Sequence, residues 1–297
     1  MMCKKWKMIN KLLVVLVVAG LGVAANASLV ARYALDGNAN DATGNYDGVA
    51  FSADAIMDWQ PTESAPVLQG GSLYFAGGVD PDRVDCNDVP LSRAATTVTY
   101  WAKAKSLANV EPINKQAAGT SGVGLRIGFR SNGTVRLWTG SAGANTYDVL
   151  EADTGVCYAV DVWVHHAWVF DNSTIRFYVD GMLRCTKTAT REINAPGVDL
   201  LLGRWYLTTY PYRGNLDDVR VYDTALSSLD VSRIAQGKNL CLGNLSYDLT
   251  DDCVVDLNDF AILASGWLDS YNLSGVVMMA SEWLECDTEE IGVCPGN

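Results

Sequence analysis

The sequence predicts an all-β body of two packed antiparallel sheets, followed by a small helical C-terminal appendage. Three observations predict it. From Ser28 to about Gln236 the chain runs in short apolar–polar alternations with almost no helical period, the pattern of half-buried strands. Asn132-Gly133 and Asp180-Gly181 interrupt those runs, and such pairs readily take the positive φ angles of tight hairpin turns. Beyond Lys238 the composition changes: Asn239 to Asn297 holds 11 acidic residues and no Lys or Arg, which marks a second unit.

The first 27 residues read as a secretory signal peptide. Lys4, Lys5, Lys7 and Lys11 precede an apolar run from Leu12 to Ala24, and Ala25-Asn26-Ala27 is a small-x-small cleavage site. The run is about 13 residues, short of the roughly 20 that span a bilayer. The expected organisation is therefore a leader over 1–27, a sandwich over 28–238 and an acidic tail over 239–297, exported and without a membrane span. The whole chain has a formal net charge of −12, and loss of four leader lysines makes it more negative. Nucleic acid and anionic lipid need a basic face and are excluded as partners. Divalent cations, which take carboxylate oxygens, are favoured.

Eight cysteines in an exported chain point to disulfides. Cys3 leaves with the leader, so an odd number remains. In the body Cys157 and Cys185 are the preferred pair beside Cys86. In the tail Cys241, Cys253, Cys286 and Cys294 allow three pairings, and a unit of about 60 residues needs such staples.

The strands can be placed. Val98, Tyr100 and Ala102 alternate with Thr99, Trp101 and Lys103. Leu125 to Arg130 and Val135 to Trp138 form one hairpin, Val164 to Phe170 and Ile175 to Val179 a second, and Asp180-Gly181 turns the chain into Met182 to Cys185. Leu200 to Gly203 and Leu216 to Tyr222 follow, then a short helix within Leu226 to Ile234. Trp101, Trp138, Trp163 and Trp168 lie in strand patterns and read as core. Three stretches, "LVARYALDGNANDATGNYDG" from Leu29, "VWVHHAWVFDNSTIRFYVDG" from Val162 and "GNLDDVRVYDTALS" from Gly214, resemble the opening, central and closing strands of laminin-G-like domains of the concanavalin A-like lectin/glucanase type. The resemblance implies a jelly-roll sandwich, a calcium ion at its rim, and ligands that range from glycans to proteins.

An enzyme is the less favoured expectation. A retaining glycosidase needs two carboxyls about 5 Å apart, and residues i and i+2 of a strand share a face. Glu63, Glu111, Glu151 and Glu192 are isolated, and Asp217-Asp218 are adjacent, hence expected on opposite faces. His165 and His166, the only histidines, read as a strand pair with one ring inside and one outside.

Asp36, Asn38, Asp41, Asn45 and Asp47 crowd a glycine-rich loop, and such oxygens suit a hard cation. By the resemblance, the calcium ligands include Asp41 and Asn45 of the Asp41-Ala42-Thr43-Gly44-Asn45 segment, with Asp217 of the closing strand. For the ligand surface, "RWYLTTYPYR" from Arg204 places Trp205, Tyr206 and Tyr210 on a loop, where function concentrates. Tyr212 reads as core.

The tail holds a second calcium loop. Counting Asp248 as position 1, Thr250 is at 3, Asp252 at 5, Val254 at 7, Asp256 at 9 and Asp259 at 12. An Asp at 12 before an apolar helix resembles half of a dockerin, with Cys253 where a glycine usually eases the turn. "DLNDFAILASGWL" recurs as "NLSGVVMMASEWL", so Phe260, Leu263 and Trp267 form one stripe and Val276, Met279 and Trp283 another, expected to pack together. The expected function is a calcium-binding module for carbohydrate or a cell-surface ligand, with a protein partner for the tail as a further possibility.

Overall fold

The computed structural model describes residues 28–52, 57–78, 82–116, 123–140, 147–152, 157–188, 190–205, 210–241, 245–250, 253–267 and 270–285. Residues 1–27, where a signal peptide is expected, and Tyr206, Asp252, Cys286 and Cys294 lie outside them. Among the described residues no helix is long and apolar enough to cross a membrane.

In chain order the strands are β1 (Leu29–Tyr33), β2 (Val49–Phe51), β3 (Asp58–Gln60), β4 (Ser72–Phe75), β5 (Arg83–Asp85), β6 (Ala95–Ala104), β7 (Val110–Gln116), β8 (Gly124–Phe129), β9 (Val135–Gly140), β10 (Tyr147–Ala152), β11 (Trp163–Asp171), β12 (Thr174–Val179), β13 (Met182–Thr188), β14 (Leu201–Leu202) and β15 (Gly214–Tyr222). Three helices follow: α1 (Ser228–Ile234), α2 (Leu257–Ser265) and α3 (Leu273–Ser281). The strands form two antiparallel sheets. The first runs β13-β12-β11-β6-β15-β4-β3, with β1 also paired to β15, and the second runs β10-β9-β8-β7-β14-β5-β2. This is the two-sheet jelly-roll sandwich that the alternation predicts.

The expected turns are present for the expected reason. Asp180 and Gly181 both have positive φ, 49° and 75°, as a two-residue turn between β12 and β13 requires. Gly133 has φ 82°, and the Asn132 side chain accepts from the Thr134 amide at 3.1 Å. Inward positions of the two sheets supply one core. Leu125, Ile127 and Phe129 of β8 and Val135 and Leu137 of β9 meet Tyr100, Trp168, Phe170 and Phe177 of the first sheet.

The first sheet is also covered on its outer side. Ala167, Val169, Tyr178 and Tyr222 pack against Val231 and Ile234 of α1. Ser227 caps that helix in a reciprocal box with Asp230. The tail helices pack elsewhere, around Val255, Leu263 and Met279.

Two buried polar groups sit at the centre of the first sheet. Asp218, left-handed at φ 46° beside a bulge in the β15–β6 pairing, accepts from Arg32 Nε at 2.7 Å and from Arg220 Nε. Burial alone would raise its pKa, but the Arg220 and Arg32 guanidiniums pull it down to about 2. The bulge also changes the expected division of Asp217 and Asp218 between opposite faces, because both border one cavity.

The histidines divide as strand alternation demands. His166 lies among Tyr100, Phe129 and Phe177 in the core, and His165 packs against Trp101 on the other side. Burial depresses both, to about 3 for His165 and about 4 for His166. Folding therefore favours the neutral rings. Their contribution is complete above the unfolded value of 6.5 and is lost as pH falls towards 4. The ring nitrogens of His165 have no hydrogen-bond partner, so a phenyl ring fits the same place. His165→Phe is expected to match the parent at pH 7 and to lose less stability on acidification, as read from urea midpoints between pH 7 and 4. Equal slopes would contradict this.

Candidate functional site

Alternation on β7, β8 and β9 sends a second set of side chains outward. Opposite the core residues stand Arg126 and Gly128 on β8, and Arg136 and Trp138 on β9. Asn114, Arg126 and Trp138 face one another across the three strands. The Arg126 guanidinium lies 4.0 Å from the Trp138 ring centre and 4.6 Å from that of Trp205. Arg130 and Arg136 approach the same Trp138 ring at 4.3 and 5.4 Å, distances at which a cation is attracted to an aromatic face.

Gly128 makes this possible. A Cβ there would meet the Trp138 ring at 2.8 Å and Arg130 at 3.0 Å, so the missing side chain seats both.

The segment between β14 and β15 closes the site from the side. The Gly203 amide donates to Pro112 O and the Glu111 amide to Tyr210 O, at 2.8 and 3.0 Å. These bonds lay the segment along β7. Trp205 then donates from Nε1 to Gln116 Oε1 at 3.2 Å and lies 6.2 Å from Tyr210, ring centre to ring centre. Tyr210 is 44% exposed and Trp205 partly so. The structure brings these two expected ligand residues together. Tyr212 is buried, stacked edge-on against Phe75 and Phe129, as expected of a core residue.

Glu111 lies beneath the arginines, fully buried, with Oε1 3.3 Å from Arg126 and 4.0 Å from Arg130. Burial raises its pKa to about 7, against the pull of both guanidiniums.

The rim differs from expectation. The Asp41 carboxylate accepts from the amides of Arg32, Thr43, Asn45 and Tyr46, at 2.8, 3.0, 3.2 and 3.0 Å, and from the Thr43 hydroxyl. Five donors use its lone pairs, so Asp41 organises the loop rather than offering oxygens to a cation. Asp217 instead faces a cavity of about 290 Å³ whose walls include Asp36 but neither Asp41 nor Asn45. Burial, with the Asp218 and Asp36 charges, raises Asp217 to about 8 against a 2.9 Å bond from the Ala65 amide. Asp36 accepts from the Gly71 amide.

The concanavalin A-like lectin/glucanases superfamily model (Laminin_G_3) matches residues 77–232, more than half of the chain. The chain belongs to that superfamily. No curated protein matches it. Among solved structures, domain 4 of AbnA, a GH43 extracellular arabinanase from Geobacillus stearothermophilus, in complex with arabinotriose, is similar at 20% identity and TM-score 0.57, over 71% of this chain and all of that one. The binding domain of Paraclostridial Mosquitocidal Protein 1 is similar at 12% identity and TM-score 0.54, over 72% of this chain. The botulinum neurotoxin serotype D binding domain is similar at 15% and 0.50, also over 72%. The chain spans about half the length of these two toxin domains. At such identities the likeness is one of fold.

In this superfamily domain Trp138 is buried, as expected of a core tryptophan, although it points to the outer side of its sheet and packs among the Arg126, Arg130 and Arg136 guanidiniums. Trp101 and Trp168 are buried, and Trp163 is half-buried and donates to Glu63. Cys157 and Cys185 are not joined in a disulfide. Cys157 is held by the Gly133 carbonyl at the β8–β9 turn, while Cys185 sits on β13 opposite Phe177. Cys157 lies outside the strands, whereas Cys185 is held in the β12–β13 ladder.

The disulfide found among the described residues joins Cys241 to Cys253, with Cα atoms 4.9 Å apart. Asp248 lies beside these sulfurs, but the disulfide uses both as covalent partners, so the trio is no metal site. Cys253 holds φ 70° at the loop position expected of glycine. The loop itself closes. Asp259 accepts from the amides of Thr250 and Asp256, both at 2.8 Å, and Asp248 accepts from the Cys253 amide at 2.7 Å. Asp256 caps α2 through the Asn258 amide. Trp267 and Trp283 do not pack on each other as expected. They stay 42% and 38% exposed, since the small tail core is filled by Val255, Leu263 and Met279 with Tyr247 and Tyr271 beside them.

The alternation that turns Arg126 and Trp138 to the outer side of the sheet was visible in the sequence, but four tryptophans in strand patterns look alike until the register assigns a face to each. Gly128 between arginines was the overlooked signal. Gly128→Val is expected to displace the Trp138 ring at a cost of about 1–3 kcal/mol, measured by urea unfolding with near-ultraviolet circular dichroism. An unchanged spectrum and midpoint would show that the ring is not seated there.

Proposed function

We propose that the chain is an exported carbohydrate-binding module that receives its ligand on the outer face of the second sheet, with calcium stabilising the rim and the tail. The observation that carries this is the run of Arg126, Trp205 and Tyr210 across β8 and the β14–β15 segment, with Trp138 buried behind Arg126. Aromatic faces stack on the C–H faces of sugars, and guanidiniums bond the ring hydroxyls. Burial of polar groups beside apolar rings is the usual make-up of a small-molecule site. The superfamily match and the arabinotriose complex of the AbnA domain support a glycan as the ligand class.

Binding is favoured over hydrolysis. Glu111 is engaged by two arginines, and Asp85 on β5 is engaged by Arg83 at 2.9 Å, whereas a glycosidase pair must flank a bond with one carboxyl as acid.

For calcium, Asp36 and Asp217 suit the role at the rim, since both line one polar cavity and Asp217 is almost wholly buried. In the tail, Asp248, Thr250, Asp252, Asp256 and Asp259 follow the dockerin-like spacing. Bound ions would add carboxylate ligation that ties loops to the folded state. The apolar groove between α2 and α3, lined by Leu257, Phe260, Val276, Met279, Ala280 and Trp283, is consistent with a protein partner for the tail.

The test is a glycan-array screen followed by calorimetry. Trp205→Ala and Tyr210→Ala are each expected to weaken the best ligand by at least about tenfold without lowering the melting temperature. Retained affinity would remove the site. Calcium titration is expected to show about two ions, with Asp217→Asn and Asp259→Asn each losing one. No calcium heat in the parent chain would remove the metal from the account.

A further inference from the structure

The outer face of the second sheet differs in charge from the rest of the molecule. Acidic residues outnumber Lys and Arg by 34 to 22 in the chain. On this face the order reverses. Arg83, Arg126, Arg130 and Arg136 project from β5, β8 and β9 or their ends, and Arg204 adjoins Trp205. The acidic positions among the described residues include Asp85, Glu111 and Asp199, whose charge acts on Asp85 together with that of Arg204. All five basic residues are arginines.

Three of those guanidiniums share one aromatic ring, Trp138, within 5.4 Å. Like charges so close repel, and they are held there by cation–π contact and by Glu111 beneath. A guanidinium presents a planar fork of N–H donors, which matches a carboxylate in a bidentate pair. An ammonium would offer only a point charge. Trp205 and Tyr210 stand next to this cluster with their rings partly exposed, so a sugar ring stacked there places its substituents against Arg126.

Resting on the carbohydrate-binding function above, we propose that the glycan taken by this face is acidic: a polysaccharide carrying uronic acid carboxylates, one of which is bound by the Arg126, Arg130 and Arg136 cluster while the neighbouring sugar stacks on Trp205.

The test measures affinity by calorimetry for three probes: oligogalacturonate, the same oligosaccharide with its carboxyls reduced to primary alcohols, and a sulfated glycan, dextran sulfate. Oligogalacturonate is expected to bind at least about tenfold tighter than its reduced form, and to weaken as salt rises from 50 to about 300 mM. Arg136→Gln and Arg130→Lys should each narrow that preference. Lys187→Gln, which removes a charge from the exposed strand β13, should leave it unchanged. Arg136 lies farthest from Glu111 in this cluster, so its variant tests the idea even if Arg130→Lys fails to fold. Equal binding of acidic and reduced forms would overturn the proposal and leave carbohydrate binding standing. Stronger binding of dextran sulfate than of oligogalacturonate would overturn the carboxylate assignment. No binding of any of these, nor of any glycan on the array, would overturn both.

Discussion

The structure depends on the two-residue alternation of β7, β8 and β9. Each strand has one face that fills the core and one that faces away. Leu125, Ile127 and Phe129 bind this sheet to its partner, and the same backbone then has no choice about where Arg126 and Arg130 go. A slip of one residue would bury two guanidiniums between the sheets and expose three large apolar side chains. The apolar core therefore fixes the position of the polar site to within the accuracy of a hydrogen-bonded ladder.

The two outer faces are used differently. That of the first sheet is closed by α1, and its buried charges are internally matched, with Asp218 shared between Arg32 and Arg220. Such a network is costly to break and has no spare capacity for a ligand. The second sheet packs guanidiniums around the buried Trp138 ring, over a carboxyl whose burial resists ionisation, and leaves Trp205 and Tyr210 partly exposed beside them. Groups whose ionisation is displaced in this way gather at functional sites, although on its own that does not choose between binding and catalysis. The tail forms a separate small core, joined to the region after α1 by Cys241–Cys253 and by the Arg233 guanidinium, which reaches both sulfurs.

The sandwich was legible in the sequence because alternation and turn chemistry are local. Asn132-Gly133 and Asp180-Gly181 announced their hairpins, and His165-His166 split across a strand as adjacent residues must. Trp205 and Tyr210 were legible as loop aromatics. What pairs with them was not, since Gln116, Glu111 and Arg126 are about 80 to 100 residues away in sequence and only the sheet register brings them near. The internal bonding of the rim was not legible for a related reason. An Asp in a glycine-rich loop has the same sequence signature whether its oxygens meet a cation or five donors of its own loop, as at Asp41. Cys157 and Cys185 were likewise preferred as a pair among the three body cysteines, but one is tied to the β8–β9 turn and the other lies in the β12–β13 ladder.

The central claim is that the ligand lies on the outer face of the second sheet. A crystal structure of the full chain with a bound oligosaccharide tests it most directly. The account predicts sugar density stacked on Trp205 and Tyr210 and reaching Arg126. Density at the rim cavity beside Asp217, or in the α2–α3 groove with the arginine face empty, would contradict it.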